Sequence, residues 1–151
     1  LDDKAQDTAS KGTTLSGVNL KASKTYTLKA TDARNAVATR TADVAFRDKR
    51  HWWVAASLDA AGVTDQIINQ ATGELATWYN KTFTLNAAAG QHIYYAFPAS
   101  WGTPRFFVGG FEGGFALLKT FDHKNASGAT ISYAVWKSTN AGLGNTTVEV
   151  K

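Results

Sequence analysis

Apolar and polar residues alternate at period two through most of this chain, and short runs of Gly, Asn, Asp and Ser interrupt the alternation. That is the pattern of β-strands joined by turns. The densest case is residues 91–102, QHIYYAFPASWG. In a strand over residues 91–97, Ile93, Tyr95 and Phe97 point to one face and His92, Tyr94 and Ala96 to the other. Pro98 has no amide hydrogen and a fixed φ, so this strand is expected to stop there or lie at an edge.

The same reading places the other elements in order. Residues 1–14 are polar and aperiodic, a flexible lead-in or linker; residues 15–46 are expected to hold an Ig-like β-hairpin. Its strands are residues 25–32 and 36–46, and Asp32-Ala33-Arg34-Asn35 is its turn. Residues 47–151 form a second, larger domain. Residues 51–56 (HWWVAA) predict a strand with Trp52 and Trp53 on opposite faces. A short helix is expected over residues 64–72, with Thr64 as N-cap, Asp65 at the positive helix end and Gly73 as the stop. Residues 82–86 and 91–97 are expected to pair as a hairpin. Further strands follow at 106–108, 115–120, 130–138 and 146–151, with turns at 122–128 and 139–144. The fold class is therefore mostly β: an antiparallel sandwich of about eight strands with one short helix, preceded by the hairpin.

Several of these strands, WWVA, IYYAF, FFV and ALL, are apolar on both faces. A single sandwich has one interior. The surplus faces are expected to meet the short helix or a second copy, with Trp52, Trp53 and Tyr94 at the interface of a closed homo-oligomer.

Composition narrows the classes. The chain has 151 residues and no cysteine, so it is not a small disulfide-stapled scaffold. It contains no methionine and starts at Leu1, which suggests a processed or trimmed piece of a longer product. No apolar run approaches the ~20 residues of a membrane span, and no membrane insertion is expected. Sixteen basic and twelve acidic residues give a net charge of +4, spread along the chain. The densest basic cluster, Arg47-Asp48-Lys49-Arg50, carries its own aspartate, and no nucleic-acid partner is expected.

Candidate chemistry is sparse. His51, His92 and His123 do not fall at metal-ligand spacing, and no metal or other cofactor is expected; His123, in the 122–128 turn, should be solvated. A glycosidase would need two carboxylates roughly 5–10 Å apart in a groove, one with a raised pKa. Only Glu112, in GGFEGGF, sits among aromatics. It either faces water on a tight glycine turn, contacts a ligand or, least favoured, acts in catalysis. Trp101, Phe106, Phe107, Phe111 and Phe115 flank the glycine turns and either fill a core or interface or stack on sugar rings. Arg105 is placed to lie over these rings or to pair with Glu112. The candidate ligand-binding set is Trp101, Arg105, Phe111 and Glu112; no catalytic residue is assigned.

One further pattern is the order of segments after the basic pair: KRHWW, the short helix, TFTLNAAAGQHIYYAFPASWG, FFVGGFEGGF, SYAVWKSTNAGLG and TTVEV. This order resembles domains of tail-fibre, baseplate-associated and other virion structural proteins of tailed bacteriophages, which carry iYYAyPxxyG, vxGfxggF and LG.ttvxv motifs in the same sequence. The resemblance spans about residues 46–151. It implies a modular, non-enzymatic β-domain of an elongated and usually trimeric appendage in the extracellular virion. Its partners would be copies of itself, other tail proteins and, at a tip, a host-surface glycan or protein. The family pattern carries no active-site residue.

Overall fold

The computed structural model describes residues 23–151. The lead-in at residues 1–14 and the first part of the 15–46 segment lie outside the described residues. The chain divides into two compact units, Leu1–Arg47 and Asp48–Lys151.

In the first unit, β1 (Lys24–Thr31) and β2 (Val37–Val44) form an antiparallel hairpin with Lys24 opposite Val44 and Thr31 opposite Val37. Its turn works as the sequence predicts. The Asp32 carboxylate accepts from the Arg34 and Ala36 amides at 2.8 Å, and Asn35 takes the left-handed conformation with φ 62°.

The second unit is a β-sandwich. Its elements are β3 (Asp48–Ala56), α1 (Asp65–Gln70), β4 (Thr72–Ala76), β5 (Lys81–Ala87), β6 (Gln91–Pro98), β7 (Phe106–Val108), β8 (Phe111–Glu112), β9 (Phe115–Lys124), β10 (Thr130–Ser138) and β11 (Gly144–Val150). A five-stranded sheet runs β4-β3-β6-β10-β9 and a four-stranded sheet runs β5-β11-β7-β8. All pairings are antiparallel.

β6 is the central strand of the larger sheet, and both its faces are buried. Ile93, Tyr95 and Phe97 meet Phe83, Phe106, Val148 and Val150 of the facing sheet to make the sandwich core. Tyr94 and Ala96, on the opposite face, join Tyr133 and Val135 beneath Val63 and Ile68. That second core is roofed by α1 and the segment leading into it. Thr64 caps the helix as expected, and Ile68 is its buried residue. The apolar surplus on this face is thus met, at least over these residues, by the short helix.

Three expectations need correction. β5 and β6 do not form a hairpin: β5 pairs with β11, and β6 pairs with β3 and β10. The Ala87–Gly90 link therefore crosses between sheets. A period-two pattern reports that a strand has an inner face, not which strand it joins. Pro98 ends β6, as the sequence predicts, and does so at the centre of the larger sheet. Gly73 does not stop the helix; Ala71 is its C-cap and Gly73 lies in β4. A Cβ on Gly73 would sit 2.7 Å from His51 Nδ1, so this glycine is required by close strand–side-chain approach. Finally, β9 runs on to Lys124, which puts His123 in a strand rather than a solvated turn.

Candidate functional site

The glycine-rich loops organise one end of the smaller sheet. Val108 pairs with Phe111 across the two-residue turn Gly109-Gly110, and both glycines have positive φ, 58° and 89°. Such a turn requires two residues free of the Cβ penalty. It holds Phe111 out into solvent, 83% exposed. Beneath it, Val108, Phe111, Glu112, Gly113, Asn140 and Leu143 border a shallow cavity of about 140 Å³.

Glu112 and Arg105 form the expected pair. Arg105 Nε donates to Oε1 at 2.7 Å and an Nη donates to Oε2 at 2.5 Å, a fork-to-fork geometry. Both side chains are more than half exposed. The hydrogen bonds from Arg105 hold the Glu112 carboxyl below its ordinary pKa, and Glu112 raises that of Arg105. A carboxylate so placed is an anchor or hydrogen-bond acceptor; the general acid of a glycosidase needs the opposite shift.

Arg105 and Lys151 exchange two backbone hydrogen bonds, 2.6 and 2.9 Å. This brings the Arg105 guanidinium and the Lys151 ammonium to 5.4 and 4.8 Å from the Phe107 ring centre. Phe107, marked in the sequence among the aromatics beside the glycine turns, belongs to this surface, and so does Lys151, which was not marked. No local spacing signals Lys151, because the end of β11 brings it in from a distant part of the chain.

The remaining sequence-selected residues lie elsewhere. Trp101, in a single 3-10 turn after β6, stacks on Phe97 at 6.1 Å and packs against the sandwich core. Trp52 and Trp53 do point to opposite faces. Trp52 stacks on Phe83 at 5.7 Å in the sandwich core, and Trp53 stacks on Tyr94 at 5.1 Å in the second core. Tyr94 is completely buried within one chain, its hydroxyl bonded to the Leu58 amide and the Ala56 carbonyl at 2.7 and 3.1 Å. It presents no surface to a second copy.

Two polar groups hold the unit together. Arg50, of the basic cluster, donates to the Glu74 carboxylate and to the Trp78 and Asn80 carbonyls, and Lys81 Nζ donates to Glu74 at 2.7 Å. The bond from Lys81 is the largest influence and lowers the Glu74 pKa; burial opposes it, and with the bond from Arg50 and the charges of both partners the net direction is down. In the second core, His123 is fully buried with Nδ1 2.8 Å from Asp65 Oδ1. Burial pushes the Asp65 carboxyl up, but the bonds from His123 and the Lys124 amide outweigh it and the net direction is down. His51 lies beside His123, ring centres 6.4 Å apart. Burial, then the charges of His123 and Lys49, lower its pKa to about 4, against a small opposing contribution from the Ala71 backbone.

Comparison with known proteins finds no match: no family model, no curated protein and no solved structure aligns with this chain. Among the described residues, no group of three or more His, Cys, Asp or Glu side chains is arranged to hold a metal ion.

Proposed function

We propose that this chain is a non-enzymatic structural module of a tailed-phage virion, a tail-fibre or baseplate component that holds or presents the host-attachment apparatus. The observation that carries the reading is the two-sided burial of β6, with aromatic side chains committed to a core on each face. The polar residues with the richest chemistry serve the same end. Arg50 and Glu74 tie loops to β3, and Asp65 and His123 tie α1 to β9. Glu112, the one carboxylate set among aromatics, is held ionised by Arg105. Such a unit transmits force and keeps its neighbours in register. The order of the aromatic and glycine motifs along the sequence supports placing it in a virion tail, with copies of itself and other tail proteins as partners.

The test is gold-antibody labelling of purified tailed particles with serum raised against this chain. Label on the tail is expected. Unlabelled particles, with the same serum detecting the chain in extracts of the producing cells, overturn the reading.

A second reading, a tip module that contacts a host-surface glycan, is favoured by one observation: Phe111 stands almost fully exposed above the small cavity beside the Arg105–Glu112 fork. Exposed aromatic faces stack on sugar rings, and forked charged groups bond adjacent hydroxyls. Glycan-array binding that disappears in Phe111→Ala supports this reading; an array with no signal for the folded chain removes it.

A further inference from the structure

The roof over the outer face of the five-stranded sheet does not reach its far end. Asp65 and Asn69 of α1 bond the backbone of Lys124, at the last residue of β9. At the other end of the same strands, where β3 stops at Ala56, the face is left open. There Ser57, His92, Leu117, Leu118, Lys137 and Thr139 border a cavity of about 330 Å³. It holds no carboxylate. It is separate from the Phe111 loops and owes nothing to the function proposed above.

Two polar groups in this cavity are fixed in advance. Lys137 Nζ donates to Ser57 Oγ at 2.7 Å and to the Leu58 carbonyl at 3.1 Å. An ammonium has three donors, so one hydrogen is left for an incoming acceptor. His92 Nδ1 lies 2.7 Å from the Ser138 carbonyl, which can only accept. Nδ1 therefore carries the proton, and in the neutral ring Nε2 is left as an acceptor. The Ser138 hydroxyl is already committed, accepting from the Ile93 amide at 3.0 Å and donating to the Asn140 carbonyl at 2.8 Å. Leu117, 51% exposed, supplies apolar surface beside them.

A ligand that suits this arrangement has three features. It carries an anionic oxygen for Lys137, a hydroxyl that donates to His92 Nε2, and a short apolar face for Leu117. A plain carboxylate would set its charge against the imidazole lone pair. A plain alcohol would leave the ammonium without a counter-charge. We propose that this cavity binds a small hydroxycarboxylate, with Lys137 taking the carboxylate and His92 accepting from the hydroxyl. The chemistry is shared by free hydroxy acids and by acidic sugar units, and the two are separable by experiment.

The test is a 1H–15N NMR titration of the whole chain with mandelate and with glucuronate. Phenylacetate and benzyl alcohol, each lacking one of the polar groups of mandelate, serve as controls. Saturable shifts at His92, Leu117 and Lys137 are expected with at least one hydroxycarboxylate, and weaker binding of both controls. Mandelate alone identifies a free hydroxy acid as the ligand type, and glucuronate alone an acidic sugar. Lys137→Gln should weaken binding about tenfold or more, the scale of one charge-assisted hydrogen bond. Because Lys137 also holds Ser57 and Leu58, Leu117→Glu is a second variant; it places a repelling carboxylate at a half-exposed position and should weaken binding without moving distant resonances. The proposal is overturned if neither hydroxycarboxylate titrates, if the controls bind as well as the hydroxycarboxylate that does, or if both variants leave the affinity unchanged.

Discussion

Replacing His51 with glutamine removes a proton-binding step from the second core while keeping a neutral polar side chain there. The imidazole has an ordinary pKa of 6.5, lowered to about 4 in the folded chain, chiefly by burial and then by His123 and Lys49. The direction of the pH effect follows from which state binds the proton. Below 6.5 the unfolded chain takes up a proton that the folded chain refuses until the pH approaches 4. The unfolded state then holds more protons, so folding stability falls as the pH falls. Each unit of pKa difference is worth about 1.4 kcal/mol, and the interval of 6.5 to about 4 corresponds to a loss of about 3 kcal/mol. That is a large share of the 5–15 kcal/mol typical of a whole domain. Urea unfolding followed by tryptophan fluorescence, repeated at pH steps between neutrality and 4, measures it. All five tryptophans (Trp52, Trp53, Trp78, Trp101 and Trp136) lie in the Asp48–Lys151 unit, so the signal reports that unit. The His51→Gln curve should be flatter than the parent curve by the His51 contribution. Asp65 and Glu74, whose pKa values are lowered, lose stability at still lower pH and do so in both proteins. Parallel curves for parent and variant would refute the claim that a buried neutral imidazole governs the acid limb.

Three further substitutions test particular contacts. Gly73→Ala brings a Cβ to 2.7 Å from His51 Nδ1 and 3.3 Å from the Arg50 carbonyl, and should cost about 1–3 kcal/mol in urea unfolding; a neutral result would mean that β4 moves freely away from β3. Tyr95→Phe removes a hydroxyl that donates to the Tyr79 carbonyl at 2.6 Å, and should cost about 1 kcal/mol and speed amide exchange around Tyr79. Asn125→Ala removes an acceptor shared by the Ser127 amide, the Ser127 hydroxyl and the Ala129 amide, and should lower the thermal midpoint by several degrees, corresponding to about 1–2 kcal/mol.

Much of the fold was legible because burial follows period two. β10 matches its sequence range of Thr130–Ser138, and β6 overruns its own by a single residue, Pro98. Both strands carry large apolar residues on alternate positions, which no other regular structure satisfies. β4 was not legible: TGELA has a glycine, an acid and few β-formers, and it is a strand only because β3 offers it an edge. The fate of His123 was hidden for a related reason. Its neighbours Asp122, Lys124 and Asn125 read as a turn, yet the burial of its ring depends on Asp65 from a distant helix. At the glycine-rich loops, the Arg105–Glu112 pair was readable from short spacing and opposite charge. For Trp101 the sequence left core packing and ligand contact both open, because adjacency in sequence says nothing about which way a turn directs a side chain; its ring stacks on Phe97.

The central claim is that one chain covers both faces of its own central strand and so forms a rigid, self-sufficient unit. Hydrogen–deuterium exchange of the chain over a range of concentrations tests it most directly. The account predicts that the Ile93–Phe97 amides are among the slowest to exchange, and that their protection is the same in dilute and concentrated samples. Protection that appears only at high concentration would contradict it, because the second face of β6 would then be covered by another copy and not by α1.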